Sequence, residues 1–152
     1  MLVEQRLEQL GITLPTAGAP AAAYVMTAQT GNQLWLSGHI AKRDGKPWVG
    51  QLGRDMTTEQ AKPAARAVGI DLVATIKAAV SDLDRVVRIV KIVVLVNSTG
   101  DFTEQHLVAN GCSELLLEVF EGAGAHARSA FGVAQLPMGA CVEIELVAEV
   151  EV

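Results

Sequence analysis

Hydrophobic and polar positions alternate most strictly near the end of the chain. Val142, Ile144, Leu146, Ala148 and Val150 fall on one side; Glu143, Glu145, Glu149 and Glu151 fall on the other. A period of two marks a strand with one buried face. An earlier run from about Arg128 to Gln135 reads as its neighbour, and Leu136-Pro137-Met138-Gly139 as the turn, with Pro fixing φ and Gly free to take φ > 0. The expectation is a C-terminal β-hairpin in which Arg128, Ala130 and Gly132 share one face and a carboxylate sits on the strand beside the arginine.

Helical spacing governs three other stretches. Val3, Leu7 and Leu10 predict a short amphipathic helix over residues 3–10, closed by Gly11. Ala65, Val68, Leu72, Ile76 and Ala79 form one stripe of a long helix from about Thr58 to Val80, with Thr57 and Gln60 as a capping box. Pro63 sits badly in it, so the helix either starts near Lys62 or has a distorted first turn. A second long helix, capped by Asp101 or Thr103 and ending at Gly122 or Gly124, buries Val108, Cys112, Leu115, Leu116, Val119 and Phe120.

Strands fill the remainder. Tyr24–Ala28 and Gln33–Ser37 flank a turn at Thr30-Gly31-Asn32, and Trp48–Gln51 follows the turn signal Asp44-Gly45, giving an antiparallel meander. Leu14 to Ala23 reads as an extended connector. Arg88–Val96 (RIVKIVVLV) hardly alternates and predicts a central strand covered on both faces, reached by a right-handed crossover. The fold class is therefore α/β (α+β), a mixed sheet with two helices on one face and a short N-terminal helix. One domain spans residues 1–152, with a lead-in over 1–14 and a core over 22–150.

Composition narrows the function. Hydrophobic residues are 50% of 152 and aromatics 4%, so the core is aliphatic, and a mean hydropathy of +0.31 also hints at surface buried between copies. A net charge of −5, with no basic stripe, disfavours nucleic acid as a partner. No secretory leader pattern and no apolar run of the ~18 residues a membrane span needs is present, and a cytoplasmic protein with no membrane partner is expected. Cys112 and Cys141 read as small buried hydrophobes, and His39, His106 and His126 as structural or surface residues, since none has metal-ligand spacing. Neither a metal nor a cofactor is expected.

Tyr24-Val25, Leu36-Ser37-Gly38, Asp101-Phe102, Asn110, Ala127-Arg128-Ser129, Val133-Ala134, Leu136-Pro137 and Val142-Glu143-Ile144-Glu145 together resemble the RidA (YjgF-like) family, also labelled L-PSP endoribonucleases. The resemblance covers about residues 22–150, and the lead-in Leu10–Pro15 is similar to a less studied branch. It implies a chorismate-mutase-like fold, a homotrimer with clefts between subunits, and hydrolysis of 2-imino or 2-enamino acids to 2-oxo acids and ammonia. It also implies that Arg128 binds the substrate carboxylate and that Tyr24, Gly38 and Asn110 contact the substrate. Glu143 then positions water. Two positions depart from the family pattern: Ala130 stands where deaminating members usually carry a cysteine, and His39 where glutamine is common.

The residues themselves leave alternatives open. Arg128 can grip a carboxylate with two parallel charge-assisted hydrogen bonds, or form an interface salt bridge with Glu143 or Glu145. Glu143 can orient water or simply be solvated on a strand face. Tyr24 can be an edge-strand aromatic. Three functions compete: an imine or enamine deaminase, a non-catalytic trimer binding small carboxylates, which Ala130 favours, and an endoribonuclease. The acidic charge and scarce aromatics count against the last.

Overall fold

The two long helical stripes become the roof of the molecule. In the computed structural model, which describes residues 2–152, helix α1 covers Leu2–Gln9, α2 Thr58–Val80 and α3 Gln105–Phe120. Strands β1 (Thr27–Thr30), β2 (Gln33–Ile40), β5 (Val86–Asn97), β6 (Ala127–Val133) and β7 (Val142–Val150) form one mixed sheet, ordered β1-β2-β7-β5-β6. β3 (Lys42–Arg43) and β4 (Lys46–Pro47) make a separate small ribbon around Asp44-Gly45. The family-like fold expected from the sequence is present, with α2 over β2 and β7, and α3 over β5 and β6.

Helical periodicity reads true. Ala65, Val68, Leu72 and Ile76 of α2, and Val108, Cys112, Leu115, Leu116 and Val119 of α3, are fully buried. Only the last predicted contact of α2 shifts: Ala79 is exposed and Val80 buried. The capping box forms, with Thr57 Oγ1 accepting from Gln60 N–H and Gln60 Oε1 from Thr57 N–H. The helix therefore starts at Thr58 and runs through Pro63, which is exposed. For α3 neither Asp101 nor Thr103 caps. Glu104 is the N-cap residue, and its carboxylate instead accepts a 2.5 Å bond from Thr58 Oγ1, tying the two helix starts together. Gly111 makes the close packing possible, because a Cβ there would overlap the Lys62 carbonyl of α2.

The C-terminal hairpin does not form. β6 pairs only with β5, in parallel, and β7 pairs with β5 and β2, both antiparallel. The two predicted hairpin strands thus lie on either side of β5. Alternation along β7 gives the right face, since Val142, Ile144 and Leu146 are buried, but alternation names a face and not a neighbour. The connection crosses the end of β5, where buried Asn97 holds it: Nδ2 donates to Gln135 Oε1 (2.6 Å) and to the Ala140 carbonyl (3.1 Å). Pro137–Gly139 makes a short 3₁₀ turn instead of a hairpin loop.

Other strand expectations move as well. Residue 24 precedes β1, so Tyr24 is not on an edge strand; it lies in a bend, 44% exposed, with its hydroxyl accepting from Ala21 N–H. Trp48–Gln51 is not a strand. It is pinned at Trp48 N–H to the Ala41 carbonyl (2.8 Å) and at the Trp48 carbonyl by Cys141 N–H (2.9 Å), while Arg43 stacks 4.4 Å from the Trp48 ring centroid. β5 is an interior strand, paired with β7 and β6, but it is covered on one face only. Ile89, Ile92, Val94 and Val96 of β5 are buried under the helices, but the opposite face of the sheet is bare in the protomer. Registers place Trp35, Val147, Val93, Leu95 and Phe131 on that bare face, with Trp35 52% and Phe131 48% exposed.

α1 packs Val3 and Leu7 into the core, one residue earlier at each end than predicted. The Asp84 carboxylate accepts from Leu2 and Val3 N–H, and Arg6 reaches the end of α3 through the Val119 carbonyl and Glu121. Among the described residues no helix is long and apolar enough to cross a membrane.

Candidate functional site

Glu143 and Arg128 lie on opposite faces of the sheet. Glu143 is paired with Leu95 and Ile40, on the bare face, whereas Arg128 aligns with Ile92, on the helix-covered face of β6. With β5 between their strands, an ion pair between them within one chain is not formed. Each anchors a separate recess.

The first recess is an open cleft of about 1160 Å³ that contains Tyr24, Gly38, His39, Lys42, Asp71 and Glu143 in its lining, with residues 15–22 as an outer wall. A register shift in β2 between Leu36 and His39 places Ser37 and Gly38 in a bulge. A side chain at Gly38 would run into Glu143 Oε2, so the glycine is what lets the carboxylate lie across the strand. Among the described residues the Glu143 carboxylate accepts no hydrogen bond and makes no ion pair. Burial, then the like charge of Glu145, raises its pKa from the ordinary value. Asp71 is also raised by burial, partly offset by Lys42.

His39 supports this cleft from below. Burial lowers its pKa, against the opposing effect of the Ser37 carbonyl, so the ring is neutral at pH 7. Since a carbonyl cannot donate, Nδ1–H donates to Ser37 O (2.6 Å) and Nε2 accepts from Thr75 Oγ1 (2.8 Å). Its place is structural.

The second recess, about 260 Å³, is lined by Ser113, Leu117, Ala125, His126 and Arg128. Arg128 Nη1 donates to Asn110 Oδ1 (2.8 Å) and Ser113 Oγ (3.1 Å), and Nη2 to the His106 carbonyl (3.1 Å). All three acceptors come from α3 and all are neutral, so the guanidinium is held without losing its charge. Ser113 Oγ also lies 2.8 Å from His126 Nε2, whose Nδ1–H donates to the Gly124 carbonyl (2.6 Å). Ala130, two residues beyond Arg128 on the same face, packs its methyl against the core. Cys112 is buried beneath, its thiol pushed up to about 12 by burial despite Arg128 nearby, and Cys141 is pushed up to about 11 for the same first reason.

The structure thus brings Arg128 to Asn110, and Tyr24 and Gly38 to Glu143, but holds the two groups apart. Nothing in the sequence singles out Ser113, Asp71 or Lys42, and His126 reads there only as a structural or surface residue. Asn110 and Ser113 are i and i+3 on α3, and His126 and Arg128 are i and i+2 towards β6, spacings that already place each pair on one face.

A family model described as YjgF/chorismate-mutase-like, putative endoribonuclease, matches residues 4–150. This chain belongs to that family. It is 50% identical over 149 residues to Protein TCP17 of Trypanosoma cruzi, covering 97% of this chain and 93% of that one. The crystal structure of protein Atu1372 from Agrobacterium tumefaciens, of unknown function, is 40% identical with a TM-score of 0.91, over 99% of this chain and 93% of that one. A "putative endoribonuclease" structure from Shewanella oneidensis MR-1 is 31% identical with a TM-score of 0.93, over 97% and 99%. Membership in the YjgF/RidA group supports a small-molecule-binding role.

Proposed function

We propose that the protein hydrolyses reactive 2-imino or 2-enamino acids to 2-oxo acids and ammonia, in clefts formed between the copies of a homotrimer. The observation that carries this reading is the separation of Arg128 from Glu143. A substrate that needs both an anion anchor and a carboxylate beside its reacting carbon is served by two copies meeting, not by one chain alone. The bare face with Trp35, Leu95, Phe131 and Val147 supports such meeting, because a patch of this kind is buried at little polar cost.

In this reading Arg128 holds the substrate carboxylate by paired charge-assisted hydrogen bonds. Tyr24 and Asn110 fix the remaining polar edge. Glu143, with no partner of its own and a raised pKa, accepts a proton from water as the oxygen adds to the C=N carbon. Glu143 gives that proton to the imine nitrogen, which becomes the amine of a carbinolamine; Glu143 then carries the carbinolamine hydroxyl proton to the same nitrogen, and ammonia leaves as the C=O bond forms. General acid–base help of this kind contributes typically ~10²–10⁴-fold. No covalent nucleophile is needed.

A second reading, a trimer that binds small carboxylates without turnover, is favoured by Ala130, which brings no hydrogen-bonding atom to the wall beside Arg128. One experiment separates the two. A serine or threonine dehydratase generates the 2-aminoacrylate-type intermediate in situ, and its decay is followed with wild type, Arg128→Ala, Glu143→Gln and Ala130→Cys. The deaminase reading expects acceleration in wild type, lost in Arg128→Ala and Glu143→Gln. No acceleration, with 2-oxobutyrate binding that still needs Arg128, selects the binding module. No acceleration even in Ala130→Cys removes the deaminase reading.

A further inference from the structure

We propose that Ser113 and His126 are positioning residues that fix the guanidinium of Arg128 with one edge free for a carboxylate; this rests on the reading of Arg128 as the anion anchor. The argument is a count of donors. A guanidinium has five N–H groups. Nη1 gives both of its hydrogens, to Asn110 Oδ1 and Ser113 Oγ, and Nη2 gives one to the His106 carbonyl. The two left are Nε–H and the second Nη2–H, which together form a side edge able to meet both oxygens of one carboxylate.

Ser113 can do this only in one hydrogen arrangement, and His126 selects it. His126 Nδ1 faces the Gly124 carbonyl, so that nitrogen carries the hydrogen. With the ring's hydrogen on Nδ1, Nε2 is the acceptor, and the Ser113 hydroxyl donates to it. With its own hydrogen committed, Ser113 Oγ turns its lone pairs to Nη1. The chain of bonds thus runs from the backbone at Gly124, through the ring and the hydroxyl, to the guanidinium. Gly124 itself is locked, since a Cβ there would overlap the Leu116 carbonyl. Asn110 and His106 hold one side of the guanidinium from the same helix. The Ser113–His126 pair ties the other hydrogen of Nη1 to a second segment of chain, which removes rotation about the remaining axis.

The test uses Ser113→Ala and His126→Phe, which break the chain, against Ser113→Thr and His126→Gln, which keep an acceptor and a donor in place. All are checked for wild-type mass in solution. Titration calorimetry with 2-oxobutyrate is expected to show affinity lowered about tenfold in the first pair, the scale of one lost hydrogen bond, and largely restored in the second. In the decay assay KM is expected to rise while kcat changes much less. A readout independent of ligand is the rotation of the Arg128 Nη groups in ¹H–¹⁵N spectra: slow in wild type, fast in Ser113→Ala and His126→Phe, slow again in the rescuing variants. Unchanged rotation and affinity in the first pair overturn the proposal. Altered rotation with no 2-oxobutyrate binding by wild type instead overturns the anion reading of Arg128 and leaves the positioning standing.

Discussion

Arg128 and Glu143 make a contrast in how a charged side chain is kept. Arg128 is gripped by three neutral acceptors from one helix, and one of them, Ser113, is backed by His126. Glu143 lies over a glycine with no hydrogen bond among the described residues, beside another carboxylate. The first arrangement fixes direction before any ligand arrives, which is where orientation gains its catalytic value. The second leaves lone pairs open for water and makes the carboxylate a better proton acceptor than an exposed one. On the proposed reading, the binding residue and the proton-transfer residue are thus distinguishable by what surrounds them.

The strongest way to break the contrast is to prevent the two recesses from meeting. Phe131→Asp puts a charge on the bare sheet face, on its edge strand β6, where no desolvated partner awaits it. It is expected to yield a folded monomer by sedimentation velocity and circular dichroism, with turnover down by ~10²-fold or more. Next in size is Arg128→Lys, which keeps the charge but not the fork. Affinity for 2-oxobutyrate by calorimetry is expected to fall by roughly 10–100-fold.

Gly38→Ala acts on the other recess alone. The new methyl takes the place of Glu143 Oε2, a flexible chain end, so the fold tolerates it while the carboxylate is displaced. Expected is a kcat loss of roughly 10-fold or more, larger than the loss of 2-oxobutyrate affinity. Smallest is the effect of Glu143→Gln on stability. The folded pKa is raised, so the fold prefers the protonated carboxyl. That stability is complete below the ordinary value of 4.5 and is lost as pH rises through the folded value. Glutamine resembles the protonated form. The variant is expected to melt ~1–2 °C above wild type at pH 7, and level with it near pH 4.

The helices were legible because a stripe at spacings of three and four has one structural meaning. Leu72 and Leu115 needed no tertiary knowledge to be placed inside. Strand order was not legible. The run RIVKIVVLV announced a strand, yet nothing in it said that this strand lies between the last two, and so Arg128 was placed beside a carboxylate that is on the other face. Chain proximity favoured the hairpin; Asn97, a single buried amide at the end of β5, holds the longer path. Within the recesses, Arg128, Asn110, Tyr24, Gly38 and Glu143 were named through family resemblance. Ser113 escaped because a lone serine shows no role until a partner is seen, and His126, without metal-ligand spacing, reads only as a structural or surface residue.

The separation of Arg128 from Glu143 has a genetic consequence. In the proposed trimer each cleft draws its arginine from one copy and its glutamate from the next. An allele carrying Arg128→Ala and an allele carrying Glu143→Gln are each silent, but they are silent for different halves. Co-expressed in equal amounts and mixing at random, they regenerate about one intact cleft in four, since each half is independently sound in half of the copies. Two nulls therefore complement each other in one cell, whereas a chain carrying both substitutions complements neither. That a defect at a single residue is recessive to a different defect in the same gene would be the inherited signature of a site no single chain owns.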